Sequence, residues 1–390
     1  MKINLPILRR VIKIDSSVTD QHIVKAMNFS AQKHPLSSVA LDLSTKSQFV
    51  LSTPWPVEWK EMRDETEALL YLKYEPLKTE DMIIRLGGNT EKQIHQCHLT
   101  VVRCIGVTYI SIAAPHTIVD GYGINAITRT FISALNNEDV IFEVNEIEEY
   151  KKFVESERFQ QNTPCIDAKN FWLDAYSSYE PLPFSKIKNT SANGMCFEFT
   201  LSECELKILS DYFIKRKASM STGILTAFSI AFSHFFDVNQ LAIRMTDNQR
   251  RTSARKMLGG YFAEDYALFM KDVKASDFCD LLRKTAEIQS SSLRYIGSFR
   301  HFDYPDKKTT DIKFHFKNIW SAGRFHPTES VTDKKNSWPM NMAMRVNAIP
   351  KYKDLRIQLL CNENYFTNAQ GLELKSGLKE QLKSIINFQI

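Results

Sequence analysis

The chain has 390 residues, 43% of them hydrophobic and 24% charged, with 25 phenylalanines available for cores. That length exceeds what a single hydrophobic core usually serves, so two domains are expected, and the composition excludes extensive disorder. A net charge of +5 without a dense Lys/Arg block excludes nucleic acid as the default partner, and no apolar run approaches the ~20 residues of a membrane-spanning helix.

In chain order, residues 3–14 mix apolar and basic residues as a strand would. Thr19 is placed to cap a helix over 20–33 that puts Ile23, Ala26, Met27 and Ser30 on one face. His34-Pro35 ends it, because a residue before proline avoids the α region. Short strands are expected at 38–43 and 49–51, then a break at Pro54-Trp55-Pro56, a charged helix over 58–73, a strand at 81–86 and a turn at Gly87-Gly88-Asn89. Residues 98–113 are apolar on both faces and predict an interior strand. After Gly123, the spacing of Ile124, Ile127, Phe131, Ala134 and Leu135 predicts an amphipathic helix. Helices are also expected over 146–160 and 166–178.

Pro181, Pro183 and the polar run to Gly194 read as a linker, which divides the chain into domains 1–180 and 195–390 around residues 181–194. The second domain begins with a strand at 195–201 and a helix opened by Ser202 and Glu205 in capping-box spacing. An all-round apolar helix over 221–235, strands at 241–245 and 261–270, and a helix at 276–295 follow. Strands at 311–320, 340–348 and 355–361 and a closing helix carrying Leu374, Leu378, Leu382 and Ile385 complete it. Strands interleaved with helices in each half predict two α/β sandwich domains. The seven cysteines, at 97, 104, 165, 196, 204, 279 and 361, are odd in number and show no paired spacing. With no secretory signal at the N-terminus, they point to a soluble cytoplasmic chain, taken here as a monomer.

Chemistry concentrates at residues 114–123, APHTIVDGYG. A strand that delivers His116 at its end offers a base near neutral pH, with Asp120 one turn later and Gly121 free to adopt a backbone conformation closed to other residues. The bland alternative is an ordinary Asp-Gly turn after a strand. His95-Gln96-Cys97-His98 lacks a second ligand cluster and its side chains diverge along a strand, so no metal is expected. Arg250-Arg251 with Arg255-Lys256 reads as a solvated basic patch, or as a surface for an acidic or phosphate-bearing partner. Leu86–Lys92 lacks phosphate-loop spacing and reads as a hairpin turn.

APHTIVDGYG followed by a helix resembles the active-site signature of the chloramphenicol acetyltransferase-like superfamily, which includes nonribosomal peptide synthetase condensation domains. KHPLSSVAL, FWLDAYSSYEPLP, STGILTAFSIAFSHFF, IRMTDNQRRTSARKMLGGYF and His301-Phe302-Asp303-Tyr304-Pro305 resemble segments of that family in the expected order. There are departures. Pro115 stands where condensation domains usually carry a first histidine, Ala263-Glu264 replaces a usual Val-Asn, and neither the early Ser-x-Ala-Gln segment nor the late Asp-Phe-Gly-Trp-Gly motif of plant-type alcohol acyltransferases is present.

The resemblance implies two sandwich subdomains in a V-shape with a tunnel between them. It also implies His116 as general base for an amine or alcohol acceptor attacking an acyl thioester. No cofactor is tightly bound; the thioester rides on a carrier protein's phosphopantetheine or on coenzyme A. Asp120 becomes a structural brace paired with an arginine, Arg250 first and Arg244 second. Gly121 brings backbone N–H groups toward the thioester oxygen, and Tyr122 and Gly123 lie in the same loop as weaker substrate contacts. Two further readings are a coenzyme A-dependent small-molecule O- or N-acyltransferase, and a catalytically degenerate relative that docks a carrier or recruits another enzyme.

Overall fold

The computed structural model describes residues 7–74, 83–85, 91–138, 144–158, 166–177, 179, 182, 192–296, 312–316, 338–340, 342–350 and 353–389. Its class is α/β, as expected. Contacts gather the described residues into two compact units, one within 7–157 and 248–263, the other within 158–247, 264–296, 312–316 and 338–389. Segment 248–263 lies beyond the expected linker yet packs within the first unit. The linker itself falls outside the described residues apart from Leu182 and 192–194, as do the Gly87–Asn89 turn and the His301–Pro305 segment.

The first unit contains strands β1 (Ile7–Asp15), β2 (Ser38–Asp42), β3 (Ser47–Val50), β4 (Val57–Glu61), β5 (Ile83–Arg85), β6 (Lys92–Gln96), β7 (His98–Cys104) and β8 (Val107–Pro115). Its helices are α1 (Asp20–Lys33), α2 (Glu65–Tyr74), α3 (Gly121–Leu135) and α4 (Glu146–Lys152). One sheet has the order β1-β8-β7-β4, the other β3-β2-β6-β5. Every residue of β8 is buried. Ile110, Ile112 and Ala114 pack with Ile23 and Met27 of α1 and Ile124, Ile127 and Phe131 of α3, while Tyr109 packs with Ala68 and Leu72 of α2 on the opposite face. A strand covered on both sides reads as one long apolar run. Each such Ile or Phe contributes roughly 1.5–3 kcal/mol on burial, which fixes the strand that carries the site.

Thr19 caps α1 by accepting from the His22 N–H, and Ile23, Ala26, Met27 and Ser30 form its buried face, as the spacing predicts. Two expectations need correcting. The single strand over 98–113 is a hairpin, β7 and β8 joined at Ile105-Gly106, where Gly106 takes φ +80. Only glycine adopts that conformation without strain, and the break is hidden by apolar character on both sides of it. The helix expected from residue 58 starts at Glu65. Residues 57–61 instead pair parallel with β7, and the Asp64 side chain accepts from the Glu67 N–H at the true helix start.

The second unit holds α5 (Ile166–Ser177), β9 (Ala192–Leu201), α6 (Glu203–Lys215), α7 (Met220–Phe236), β10 (Leu241–Asp247), β11 (Glu264–Met270), α8 (Phe278–Arg294), β12 (Ile312–Phe316), β13 (Trp338–Met340), β14 (Met344–Pro350), β15 (Leu355–Asn362) and α9 (Asn368–Gln389). The seven strands form one sheet, β11-β10-β12-β14-β15-β9-β13. Alternation sends Ile243, Met245, Phe314, Val346 and Leu359 into a core with Leu209, Phe213, Phe228, Leu281 and Leu378 from α6–α9. The Ser202–Glu205 capping box is formed in both directions. Helix α7, apolar all round, is buried from Thr222 to Ser233.

Candidate active site

β8 runs out at Pro115, whose carbonyl accepts from the Ile118 N–H at 3.1 Å and so turns the chain. His116 sits half-buried in that turn, with Nδ1 2.8 Å from the Val119 carbonyl oxygen. A carbonyl only accepts, so Nδ1 carries the proton and the neutral ring keeps its lone pair on Nε2. The Tyr261 ring lies 5.5 Å away, tilted at 48°. The neighbouring Thr117 hydroxyl is 2.8 Å from Nδ1 of buried His95, whose Nε2 lies 3.3 Å from Gln93 Oε1. Burial pushes the His95 pKa down, so its neutral ring is suited to accepting from Thr117. The loop is thereby held on both sides of His116. Within the His95–His98 stretch His95 thus braces the loop, and among the described residues no cluster is placed to hold a metal ion.

Asp120 caps α3. Its Oδ1 accepts from the Gly123 N–H at 2.7 Å and from Arg250 Nη2 at 3.0 Å; its Oδ2 accepts from the N–H groups of Phe262 and Ala263 at 2.9 and 3.0 Å. Arg250 in turn donates to the carbonyls of Arg255, Leu258, Gly259 and Gly260, and its guanidinium lies 4.4 Å from the centre of the Phe262 ring. The two side chains are 0% and 3% exposed. A carboxylate with four donors at this depth is engaged as a brace and has no lone pair to offer a substrate. Arg244, the second-choice partner, lies on β10 of the second unit.

The glycine roles change. Gly121 is exposed, has no positive φ, and a Cβ there would meet nothing within 4 Å, so the conformational freedom expected of it is not used. Gly123 carries the close approach: a Cβ there would lie 2.5 Å from the Gly260 carbonyl oxygen, and Gly260 itself takes φ +74. Gly121→Ala should therefore leave the thermal midpoint unchanged or slightly raised, because alanine favours a helix by up to about 1 kcal/mol. Gly123→Ala should lower it, with overpacking of about 1–3 kcal/mol. Thermal melts of the two variants check this, and equal midpoints would contradict it. Tyr122 is half-buried in the first turn of α3.

A second buried network escaped sequence reasoning. His34 Nδ1 lies 2.9 Å from Glu146 Oε1 and its Nε2 lies 2.8 Å from Thr130 Oγ1. The other Glu146 oxygen accepts from the Leu36 N–H at 3.0 Å, and Oε1 also accepts from the Gly259 N–H. Nearby, Arg255 Nε donates to Glu149 at 2.9 Å. Segment 248–263 is thus held by Asp120, Glu146 and Glu149. The basic patch expected to be solvated is split: Arg250 and Arg255 are buried, and Arg251 and Lys256 are exposed. The His34-Pro35 break is legible in the sequence, but it does not point to a partner more than a hundred positions away, and the Asn145 cap of α4 is seen only in the structure.

Comparison with known proteins is consistent with this geometry. Residues 108–388 match the family profile described as Condensation domain, well over half the chain. Among solved structures, the condensation domain that mediates chain release from the enacyloxin polyketide synthase is similar at 16% identity, with TM-score 0.73, covering 98% of this chain and 79% of that one. The epimerization domain from the third module of tyrocidine synthetase B is 12% identical, with TM-score 0.75, covering 99% and 93%. The X-domain from teicoplanin biosynthesis is 10% identical, with TM-score 0.73, covering 99% and 91%. At these identities the likeness establishes the fold. No curated protein sequence matches the chain. Among the described residues no helix is long and apolar enough to cross a membrane.

Proposed function

This chain belongs to the condensation-domain family, and from that premise we propose that it forms an amide or ester by acyl transfer from a thioester to an amine or hydroxyl, with His116 as the general base. The observation that carries this reading is the hydrogen bond from His116 Nδ1 to the Val119 carbonyl, which leaves Nε2 as the basic nitrogen on a partly exposed ring. Nε2 takes the proton as the acceptor's O or N attacks the thioester carbonyl. The C–S bond then breaks, and the proton passes to the departing thiolate. Gly121, at the exposed start of α3 where a Cβ would meet nothing within 4 Å, supplies a backbone N–H for the developing oxyanion. Tyr122 and Gly123 follow in the same turn; the Gly123 N–H is committed to Asp120, so its contribution is to the shape of the loop.

The donor in this reading is an acyl group on the phosphopantetheine of a carrier protein. A single observation favours coenzyme A with a small-molecule acceptor as the second reading. Position 115 is a proline, buried and paired with Ile7 of β1, so one histidine alone serves the reaction. Incubating the chain with one acyl group loaded in turn on a carrier protein and on coenzyme A, with pooled amines and alcohols, tests both. Mass spectrometry should find a condensed product and free thiol from one donor. Thioester loss no faster than without the protein, for both donors, would overturn the reading.

A further inference from the structure

We propose that the second unit's sheet, on the face opposite α6–α9, holds a site for a compact dianion, a phosphate ester or a dicarboxylate, built by Arg244, Lys313 and Arg345. This goes beyond the acyl transfer proposed for the His116 loop and stands on the sheet alone. The three residues sit in one register row on three adjacent strands: Arg244 of β10 pairs with Lys313 of β12, and Lys313 pairs with Arg345 of β14. Paired residues on neighbouring strands point to the same face, and strands lie about 4.8 Å apart, so the outer two Cα atoms are separated by roughly 10 Å. Three long cationic side chains from such a row can close on a single small anion.

Among the described residues one carboxylate faces them. Asp265 of β11 lies 3.2 and 3.3 Å from Lys313 Nζ and also accepts from the Thr246 hydroxyl at 2.6 Å. Arg244 and Arg345 make no ion pair among the described residues, although both feel the Asp265 charge. The next carboxylate on this face, Glu198 of β9, is engaged by Gln358 at 3.1 Å and lies 3.9 Å from Arg356. Among the described residues, three cations against one carboxylate leave two positive charges uncompensated. Among the described residues Arg244 Nε is a buried donor without a partner.

Burial lowers the Lys313 pKa, and Arg345 and Arg244 lower it further against the pull of Asp265; burial also lowers that of Arg345. A row built for stability alone would carry matching carboxylates, whereas a row short of two negative charges is arranged for an oxyanion supplied from outside. Guanidinium groups suit this because they grip phosphate or carboxylate with paired N–H donors.

Isothermal titration calorimetry of the full chain with inorganic phosphate and, separately, with succinate tests the site. Saturable binding of either probe is expected, weakening as salt rises. Saturation by phosphate alone would identify a phosphate ester, and by succinate alone a dicarboxylate. Arg345→Gln should weaken binding at least tenfold without lowering the thermal midpoint of the ligand-free protein, since it removes like-charge repulsion. Asp265→Asn should tighten binding by freeing Lys313. His116→Ala should bind as the unaltered chain does, so loss of acyl transfer and loss of this site are read separately. The proposal is overturned if neither probe saturates, if Arg345→Gln binds unchanged, or if Arg345→Gln lowers the ligand-free midpoint or fails to fold.

Discussion

Replacing His116 by alanine should lower turnover of the proposed acyl transfer by about 10²–10⁴, or roughly 3–5 kcal/mol on the barrier. The effect belongs to Nε2, because the Val119 carbonyl already engages Nδ1. The same substitution should leave the urea midpoint unchanged, since the side chain is partly exposed and makes one backbone hydrogen bond and one ring contact. Steady-state rates and urea melts on the same preparation separate chemistry from folding. Undiminished turnover would assign the proton transfer to another group.

The second large effect is on stability. Asp120→Ala removes the acceptor of three backbone N–H groups and leaves the Arg250 guanidinium buried beside carbonyls alone. Breaking a buried pair from one side costs about 3–5 kcal/mol. Asp120→Asn should do little better. An amide has one accepting oxygen, so its NH₂ must face either Arg250 and Gly123 or Phe262 and Ala263, donors all. Arg250→Ala strips the same brace from the other side, and the double variant should be less destabilised than the sum of the singles, with coupling of about 1.5–3 kcal/mol. Urea denaturation of the unaltered chain, the two alanine singles and the double variant measures it; losses under about 1 kcal/mol in Asp120→Ala would show that the network does not hold the loop.

What the chain reveals before folding is what short spacing encodes. Thr19 and Ser202 cap helices whose first turns lie within four residues of them, and both were legible. The resemblance placed His116, Asp120 and Arg250 together because it carries long-range information that periodicity lacks. His34, Glu146 and Gly259 had no such guide. Each is ordinary where it stands, a residue before proline, an acid in a first helical turn, a glycine in a loop, and their meeting depends on strand order. The glycine roles were exchanged for a related reason. Gly121 stands beside Asp120 in sequence, but the demand for a missing side chain comes from Gly260, which no local pattern brings to Gly123. The Ile105-Gly106 turn is hidden in the sequence because burial on both faces erases the alternation that would mark two strands.

The arginine that neutralises Asp120 is 130 positions downstream. A ribosome therefore emits β8, the His116 turn and α3 long before it emits their counter-ion. Until residue 263 has cleared the exit tunnel, the nascent first unit carries Asp120 and Glu146 without the Arg250, Gly259, Phe262 and Ala263 donors that saturate them. Units that fold domain by domain during synthesis do so at the pace of chain elongation. Here the N-terminal unit must wait for part of the second unit to be translated, so the histidine loop is assembled late, by a returning strap. A fragment ending at the expected linker would lack that strap for good.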